Sequence, residues 1–542
     1  MAYCIFQFIA ILFLSYSILA QVQISSFPAQ YQFFPRSEQN TCDITISGNI
    51  PDSLADRIGL ICEQSNGKKD SQFVTFIQNE LTHKFTFSYT LQASLNSYSF
   101  KLFGIKDSTR TLLKSSDKIC CGDVYLVLGQ SNAFAQIPFD SSASLPENPF
   151  VRSFGRPYST SNEVFVADTL WGIAKHCTPE SNLQFYVGQL GFHFADSLVK
   201  AHSIPICVLN GSEGSTSIVQ HQKSESSQVN YSRIYDRLMY RCQKSNLKDA
   251  IKGIIWYQGE NDADSSKGFY TTQFTKLYKQ WEYDFEQLSL VLVFQIKHGC
   301  NKESTSIIRE EQRHLKNISP NHIKILSTMN IKHDGCHYNM NGYKELSHQI
   351  VSKLNHSFYN TQYNQLYDAP TINQAFYINQ MKIALVFDQP VLFDFTYDGH
   401  NLKDYFFNEK EQSGLVSKLY SNRDTIFLEL NQPNAFQTIS YTPHKYYVNS
   451  TQIYQGPFIY NINSIGALTF FNLPIQNMDL MPIQGLEILE NPIPSPSRLK
   501  IKSNFAYQIY DISGRKVEQD RLSKGIYIIR NSVGTTKKIV IQ

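Results

Sequence analysis

Hydrophobic and polar positions change rhythm three times along the chain. From about Gln21 to Lys118, apolar residues alternate with polar ones in CDITISGNI, QFVTFIQN, KFTFSYTLQ and YSFKLFGI, with Asn, Gly, Ser and Asp turns between them. Period-two alternation buries one face of each strand, so residues 21–118 are expected to form a β-sandwich. From Asp123 to roughly Tyr359, short apolar runs (VYLVLG, IPICVLN, GIIWYQG, LVLVFQI and IKILSTM) alternate with helical stretches such as FYVGQLGFHFADSLVKA and YSRIYDRLMYRCQKS. That alternation predicts a parallel sheet flanked by helices, an α/β unit over residues 119–360. β periodicity returns near Ala369 in KIALVFDQPVLF, TIFLELNQ and FQTISYTP, predicting a second sandwich over 369–480. A Pro/Ser-rich entry, NPIPSPSR, then leads into short strands (LKIKS, YQIYDISGRKV, GIYIIRNS, KKIVIQ) that form a separate unit over 486–542.

Composition narrows the reading. A chain of 542 residues exceeds one ordinary core, and two to four domains are expected. With 42% hydrophobic and 18% charged residues it is globular, not disordered. The 32 Tyr and 37 Phe suit aromatic-rich β cores, and a genomic bias explains them equally well. A net charge of +3 and the lack of a basic cluster give no reason to expect a nucleic-acid partner.

The opening MAYCIFQFIAILFLSYSILAQ carries an apolar run from Ile5 to Leu14 and then a more polar stretch. This is the pattern of a secretory signal over residues 1–20, cleaved after Ala20, although the positive n-region is missing. The run is short for spanning a bilayer, and no stable transmembrane segment is expected elsewhere. Removing Cys4 from the ten cysteines leaves nine, with no paired C-x-x-C zinc pattern. In an oxidising compartment some would pair and at least one would stay free.

Candidate chemistry starts at Ser131. Val124 to Leu128 reads as a buried strand that ends at Gly129, and the serine follows two residues later at the carboxyl edge of the sheet, ahead of a stretch able to start a helix. Open α/β folds bind ligands at that edge, and amides at a helix N-terminus favour developing negative charge. Taken alone, such a serine is more often only a helix cap or a turn residue. Three further stretches end expected strands: GSEGSTS from Gly211, YQGEND from Tyr257 and HDGCHY from His333. In a parallel sheet all four loops emerge on one edge. Asp334 and His337, spaced three apart, can orient an imidazole toward a nucleophile, and that histidine can shuttle the Ser131 proton. Gly214 can offer a backbone amide and Asn261 a side-chain amide to an oxyanion; a tight turn and a helix cap explain these two residues as well.

The GQSN block, the Gly214 loop, QGEND and DGCH, in this order, resemble the four blocks of the Ser-Gly-Asn-His (SGNH/GDSL-like) hydrolases. More narrowly, GDVYLVLGQSNA and IIWYQGENDA resemble the sialate O-acetylesterase and carbohydrate esterase family 6 branch, over roughly Cys121 to Leu354. The resemblance implies a three-layer, flavodoxin-like SGNH domain with a parallel sheet, flanked here by β-sandwich domains. It implies Ser131 as nucleophile, His337 as base, Asp334 as orienting acid, and an oxyanion hole from Ser131 N–H, Gly214 N–H and Asn261. Gln130 and Asn132, beside the serine, and Gln258 and Glu260, from the Gln-Gly-Glu motif, would shape the site or only fix its loops. No cofactor and no metal is implied, and the substrate would be an acetylated carbohydrate such as sialic acid or xylan.

Departures are visible too. Glu213 and Ser215 stand where the branch carries an aromatic residue and a second glycine. Cys336, between acid and base, is either a disulfide partner, with Cys300 for instance, or a small buried side chain. Trp171 and Arg309 lie in stretches similar to the branch, while core packing and a solvated helix face explain them nearly as well. The tail, with Asp511-Ile-Ser-Gly-Arg515 and Lys524-Gly-Ile-Tyr527, resembles the C-terminal sorting domain of type IX secretion substrates; an ordinary terminal β domain is the alternative. That resemblance implies the type IX machinery as a partner and delivery to the cell surface or medium. A catalytically silent carbohydrate-binding protein is the competing function.

Overall fold

The computed structural model describes residues 22–542 except 78–79, 137–146, 179–181, 227, 301, 303, 363, 443–453, 478–486, 489–498, 500, 503–506, 512–514, 532–535 and 542. The expected signal at 1–20 lies outside the described residues, as does the middle of the Asp511–Arg515 motif. Among the described residues, no helix is long and apolar enough to cross a membrane.

Near the N-terminus, Gln23–Ser26, Thr41–Pro51 and Thr82–Gln92 form one antiparallel sheet. Arg57–Gln64, Lys69–Thr75 and Tyr98–Lys106 form part of a second. Ile44, Ile46, Phe85 and Phe87 of the first share a core with Ile58, Leu60, Phe100 and Leu102 of the second. In CDITISGNI, KFTFSYTLQ and YSFKLFGI the alternating apolar positions turn inward, whereas in QFVTFIQN Phe73 and Ile77 are exposed.

The long strand β1 (Thr109–Gly129) belongs to both halves of the molecule. Its first half pairs antiparallel with Tyr98–Lys106, and its second half is the centre of the parallel sheet. The expected division at residues 118/119 therefore falls inside one continuous strand. It reads as two elements because burial changes along it, from a mostly exposed TRTLLKSSDK to the fully buried CCGDVYLVLG.

The other strands of this sheet are β2 (Val151–Phe154), β3 (Trp171–Ile173), β4 (Ile206–Asn210), β5 (Ile251–Tyr257), β6 (Leu290–Phe294) and β7 (Ile323–Leu326). Their order is β3-β2-β4-β1-β5-β6-β7, all parallel except the antiparallel edge strand β3. β4 and β6 are buried at every residue, as parallel strands must be when both faces are covered. The short β2 and β3 were not announced by the apolar pattern.

The covering helices are α1 (Ser131–Phe134), α2 (Asn162–Ala167), α3 (Gly188–His202), α4 (Ile234–Lys244), α5 (Phe269–Asp284), α6 (Ser306–His314) and α7 (Met340–Phe358). After β1 the chain fills one side through β2 and the edge strand β3, returns to insert β4 beside β1, and then builds outward on the other side through β5–β7. The carboxyl end of β1 thus borders the point where the winding reverses, the place where open α/β sheets leave a crevice.

Beyond α7, a seven-stranded sheet runs from Ile372–Asn379 to Phe470–Asn477 around its own core. It is fastened to α6 and to the end of β6: Arg309 Nη2 donates to the Thr442 carbonyl at 2.8 Å, and Gln295 Nε2, just after β6, to the Thr469 carbonyl at 2.9 Å. At the tail, Tyr507–Asp511, Lys516–Val517, Gly525–Asn531 and Thr536–Ile541 make a four-stranded sheet with a separate small core that includes Ile509, Ile529 and Ile539.

Candidate active site

Ser131 owes its place to a backbone that only glycine allows. Gly129, the last residue of β1, has φ +133°, and a Cβ there would stand 2.0 Å from the Tyr257 carbonyl oxygen of β5. The chain turns sharply, Gln130 N–H donates to that same carbonyl at 3.0 Å, and Ser131 opens α1 half-exposed at the sheet edge. The expected helix is a single turn, closed by Ala135 in the left-handed region at φ 53°. A macrodipole grows with aligned peptides, so one turn contributes little to holding a negative charge. What remains is the serine's own N–H, which donates no hydrogen bond to another described residue; the same holds for the Gly214 N–H.

The base comes from the loop before α7. His337 Nε2 lies 3.0 Å from Ser131 Oγ. The loop is a tight reversal in which Asp334 N–H donates to the His337 carbonyl at 3.0 Å and His333 bridges to Tyr338. Asp334 Oδ1 accepts the backbone N–H groups of Cys336 at 2.8 Å and of His337 at 2.6 Å. The carboxylate therefore holds the base through its main chain. The orienting contact expected between Asp334 and the ring nitrogen is not among the described hydrogen bonds. Cys336 pairs with Cys300, which decides between the two readings of that residue in favour of a disulfide bracing the loop.

Burial lowers the His337 pKa below the ordinary imidazole value; Asp334 pulls it up and Lys297 pushes it further down. Burial alone would raise Asp334, but the Cys336 and His337 amides outweigh it and keep that carboxyl below its usual range. A neutral imidazole beside a hydroxyl can take its proton as the oxygen attacks an electrophile.

Gln130, Asn132, Gln258 and Glu260 turn inward, each no more than 4% exposed. Gln130 Oε1 collects the N–H of Asn261 at 3.2 Å and of Gly259 at 3.4 Å. Asn132 Nδ2 donates to Glu260 Oε1 at 2.8 Å and to the Cys336 carbonyl at 3.1 Å, and Tyr343 OH donates to Asn132 Oδ1 at 3.3 Å. Gln258 Nε2 donates to the Thr216 carbonyl at 3.0 Å and to Asp262 Oδ2 at 2.5 Å, while Asp262 Oδ2 also accepts Ile218 N–H at 2.8 Å. These four residues tie the serine, glycine, Gln-Gly-Glu and histidine loops to one another. Burial raises the Glu260 carboxyl above its ordinary value.

Gly214 is exposed, and a Cβ built on it would lie 4.0 Å from the Ser131 Cβ, so its backbone flanks the serine. Asn261 is held by its main chain. Its backbone N–H serves Gln130, and its side chain is exposed and makes no hydrogen bond to another described residue. Glu213, one of the departures, pairs with Arg237, and its N–H donates to the Gly129 carbonyl at 3.1 Å. Trp171 is a core residue set edge-on against Phe154. Arg309 is 2% exposed and not on a solvated face.

Lys297, which sequence reasoning passed over, sits beneath the base loop. A charged residue directly following the apolar run LVLVFQI was the signal that could have found it.

Comparison with known proteins agrees in part with this reading. Residues 121–356 match the family model described as carbohydrate esterase, sialic acid-specific acetylesterase. Among solved structures, the chain is similar to a carbohydrate acetylesterase from Xanthomonas citri, with 17% identity and a TM-score of 0.54, covering 83% of this chain and 99% of that one. It is also similar to a protein from Arabidopsis thaliana (19% identity, 44% of this chain and 99% of that one, TM-score 0.34) and to a peptidoglycan O-acetylesterase (11%, 63% and 77%, TM-score 0.22). No curated protein matches the chain. The chain shares the fold of the Xanthomonas citri acetylesterase, and residues 121–356, which hold Ser131, Gly214, Asp334 and His337, match the sequence pattern of the sialic acid-specific acetylesterase family.

Proposed function

We propose that this chain is an exported serine esterase that removes O-acetyl groups from a carbohydrate. The observation that carries the reading is the 3.0 Å approach of His337 Nε2 to Ser131 Oγ at the sheet edge. Ser131 Oγ attacks the acetyl carbonyl carbon while His337 takes the hydroxyl proton. The tetrahedral oxyanion is held by the N–H groups of Ser131 and Gly214, where losing one donor costs on the order of 10²–10³ in rate. Collapse breaks the C–O bond to the sugar, which leaves as an alcohol with the proton from His337. Water, deprotonated by the same histidine, then releases acetate from the serine. The match of residues 121–356 to an acetylesterase family supports an acetyl ester as the bond broken. An SGNH-type three-layer domain is the arrangement in which this chemistry is read.

The test is Ser131→Ala. Release of 4-nitrophenol and acetate from 4-nitrophenyl acetate should fall to background with circular dichroism and melting unchanged. A folded alanine variant that still hydrolyses the ester would overturn the mechanism. Acetate release across acetylated sialic acid, xylan and other glycans then assigns the substrate. Export by the signal at 1–20 and the sorting tail at 486–542 belongs to the same proposal; a chain lacking residues 486–542 should accumulate inside the cell envelope.

A further inference from the structure

β6 and the residues after it lead directly into Lys297, a lysine only 2% exposed. Its ammonium donates to the Cys336 carbonyl at 2.9 Å, the peptide oxygen just before His337, and stands 5.5 Å from the centre of the Tyr338 ring just after it. The same carbonyl receives Asn132 Nδ2 at 3.1 Å, so the serine loop and the base loop share one acceptor. Asn132 also bonds Glu260 Oε1, and the second oxygen of that carboxylate is buried with no hydrogen bond to another described residue. The segment carrying the lysine is pressed hard onto the loop. A Cβ on Gly299 would come within 1.8 Å of the Gly335 carbonyl oxygen, and one residue later Cys300 is bonded to Cys336.

We infer that Lys297 is a positioning residue for His337: it pins the peptide that carries the imidazole and opposes a positive charge on the ring. The inference rests on reading His337 as the base and extends that reading to a side chain that touches no substrate.

The charged groups around this pair are few. His337 is raised by Asp334 and lowered by burial and by Lys297. Burial lowers Lys297 itself to about 8, against the pull of Glu260 and Asp334. His333, on the same loop, is driven down to about 3 by burial, with Lys297 adding to the effect, and carries no charge at neutral pH. Asp262 faces Glu260 and raises it slightly further. Tyr338, under the ammonium, shares its hydroxyl with Tyr257 at 2.9 Å and stays a neutral phenol. Lys297 is therefore the cation that opposes an imidazolium at position 337, since a like charge nearby lowers a histidine pKa.

Three substitutions separate charge from hydrogen bond. Lys297→Arg keeps both, Lys297→Gln keeps a donor without charge, and Lys297→Met removes both. Two readouts are taken on the full chain: the NMR titration of the His337 ring, and kcat and KM for 4-nitrophenyl acetate against pH. The Gln and Met variants should titrate His337 at higher pH than the wild type, with the acid limb of kcat/KM moving up alongside, while Arg stays with the wild type. Met should also lower kcat about tenfold or more with KM within twofold, because a loosened loop misplaces the base.

If Met does not fold, the Gln variant still reads the charge. A folded Gln variant whose His337 titrates with the wild type overturns the inference, whatever Met does to the rate. A wild type without hydrolytic activity would defeat the esterase reading, and the NMR titration would still decide the part played by Lys297.

Discussion

Asp334 grips His337 by its backbone: Oδ1 accepts the His337 N–H at 2.6 Å, and the ring of that histidine reaches the other way, to Ser131 Oγ at 3.0 Å across 206 residues of sequence. Two tasks follow for the aspartate. Its oxygen shapes the loop, and its charge stabilises an imidazolium when the proton arrives.

Asp334→Asn separates those tasks. An amide oxygen can accept the same two backbone N–H groups, so the loop should persist, while the charge is lost. The expected result is a fall in kcat smaller than the roughly 10⁴ that follows loss of a carboxylate bonded to the imidazole ring, because Asp334 grips the main chain and only its charge is removed. The pH profile adds a signed check. Activity requires neutral His337, whose pKa burial holds below the ordinary value of 6.5, so kcat/KM should rise with pH through a midpoint below 6.5. Asp334 opposes that shift, so the Asn variant should move the midpoint lower still. Near wild-type kcat in Asp334→Asn would remove the aspartate from the mechanism.

The disulfide between Cys300 and Cys336, 36 residues apart in sequence, closes a loop whose entropy in the unfolded chain is worth about 3–4 kcal/mol. Replacing both cysteines by serine should lower the melting temperature and, because Cys336 adjoins His337, reduce kcat with little change in KM. Dithiothreitol should do the same to the wild type and leave the double variant untouched. Reductant sensitivity that survives in the double variant would assign the effect to another cysteine.

The parts of this molecule that could be read in the sequence are those that local pattern defines. Ser131, Gly214 and His337 all follow apolar runs that end in glycine or a polar turn, and parallel strands deliver such ends to one edge. Arg309 could not be read this way. Its partners Thr442 and Thr469 lie 133 and 160 residues further on, and a helix-face pattern cannot anticipate a β domain docking over it. Lys297 is a partial case: its place after the apolar run LVLVFQI marks it, but its partner Cys336 lies 39 residues further on. The position 118/119, where the hydrophobic rhythm changes, lies inside the continuous strand β1, because burial changes along that strand while its backbone does not break. Asn261, which the resemblance implies as an oxyanion donor, is exposed, and its backbone N–H is held by Gln130, a contact that local pattern does not announce.

Two glycines in these loops should respond oppositely to the same substitution. Gly299 has φ +147°, and an alanine Cβ would meet the Gly335 carbonyl oxygen at 1.8 Å, so Gly299→Ala must displace the base loop. It should cost at least about 2 kcal/mol of stability along with activity. Gly214 is not in the left-handed region, and a Cβ there finds only the Ser131 Cβ, at 4.0 Å. Gly214→Ala should therefore melt with the wild type and keep its N–H. Its methyl group, however, stands on the open side of the serine, where an acyl group must approach. The expected loss in kcat/KM is about 10–10², the scale set by displacing a reacting group by roughly an ångström. Melting curves and 4-nitrophenyl acetate kinetics on the two variants decide the matter. If Gly214→Ala hydrolysed the ester at the wild-type rate, the acyl group could not lie between Ser131 and Gly214, and the oxyanion would have to be held elsewhere.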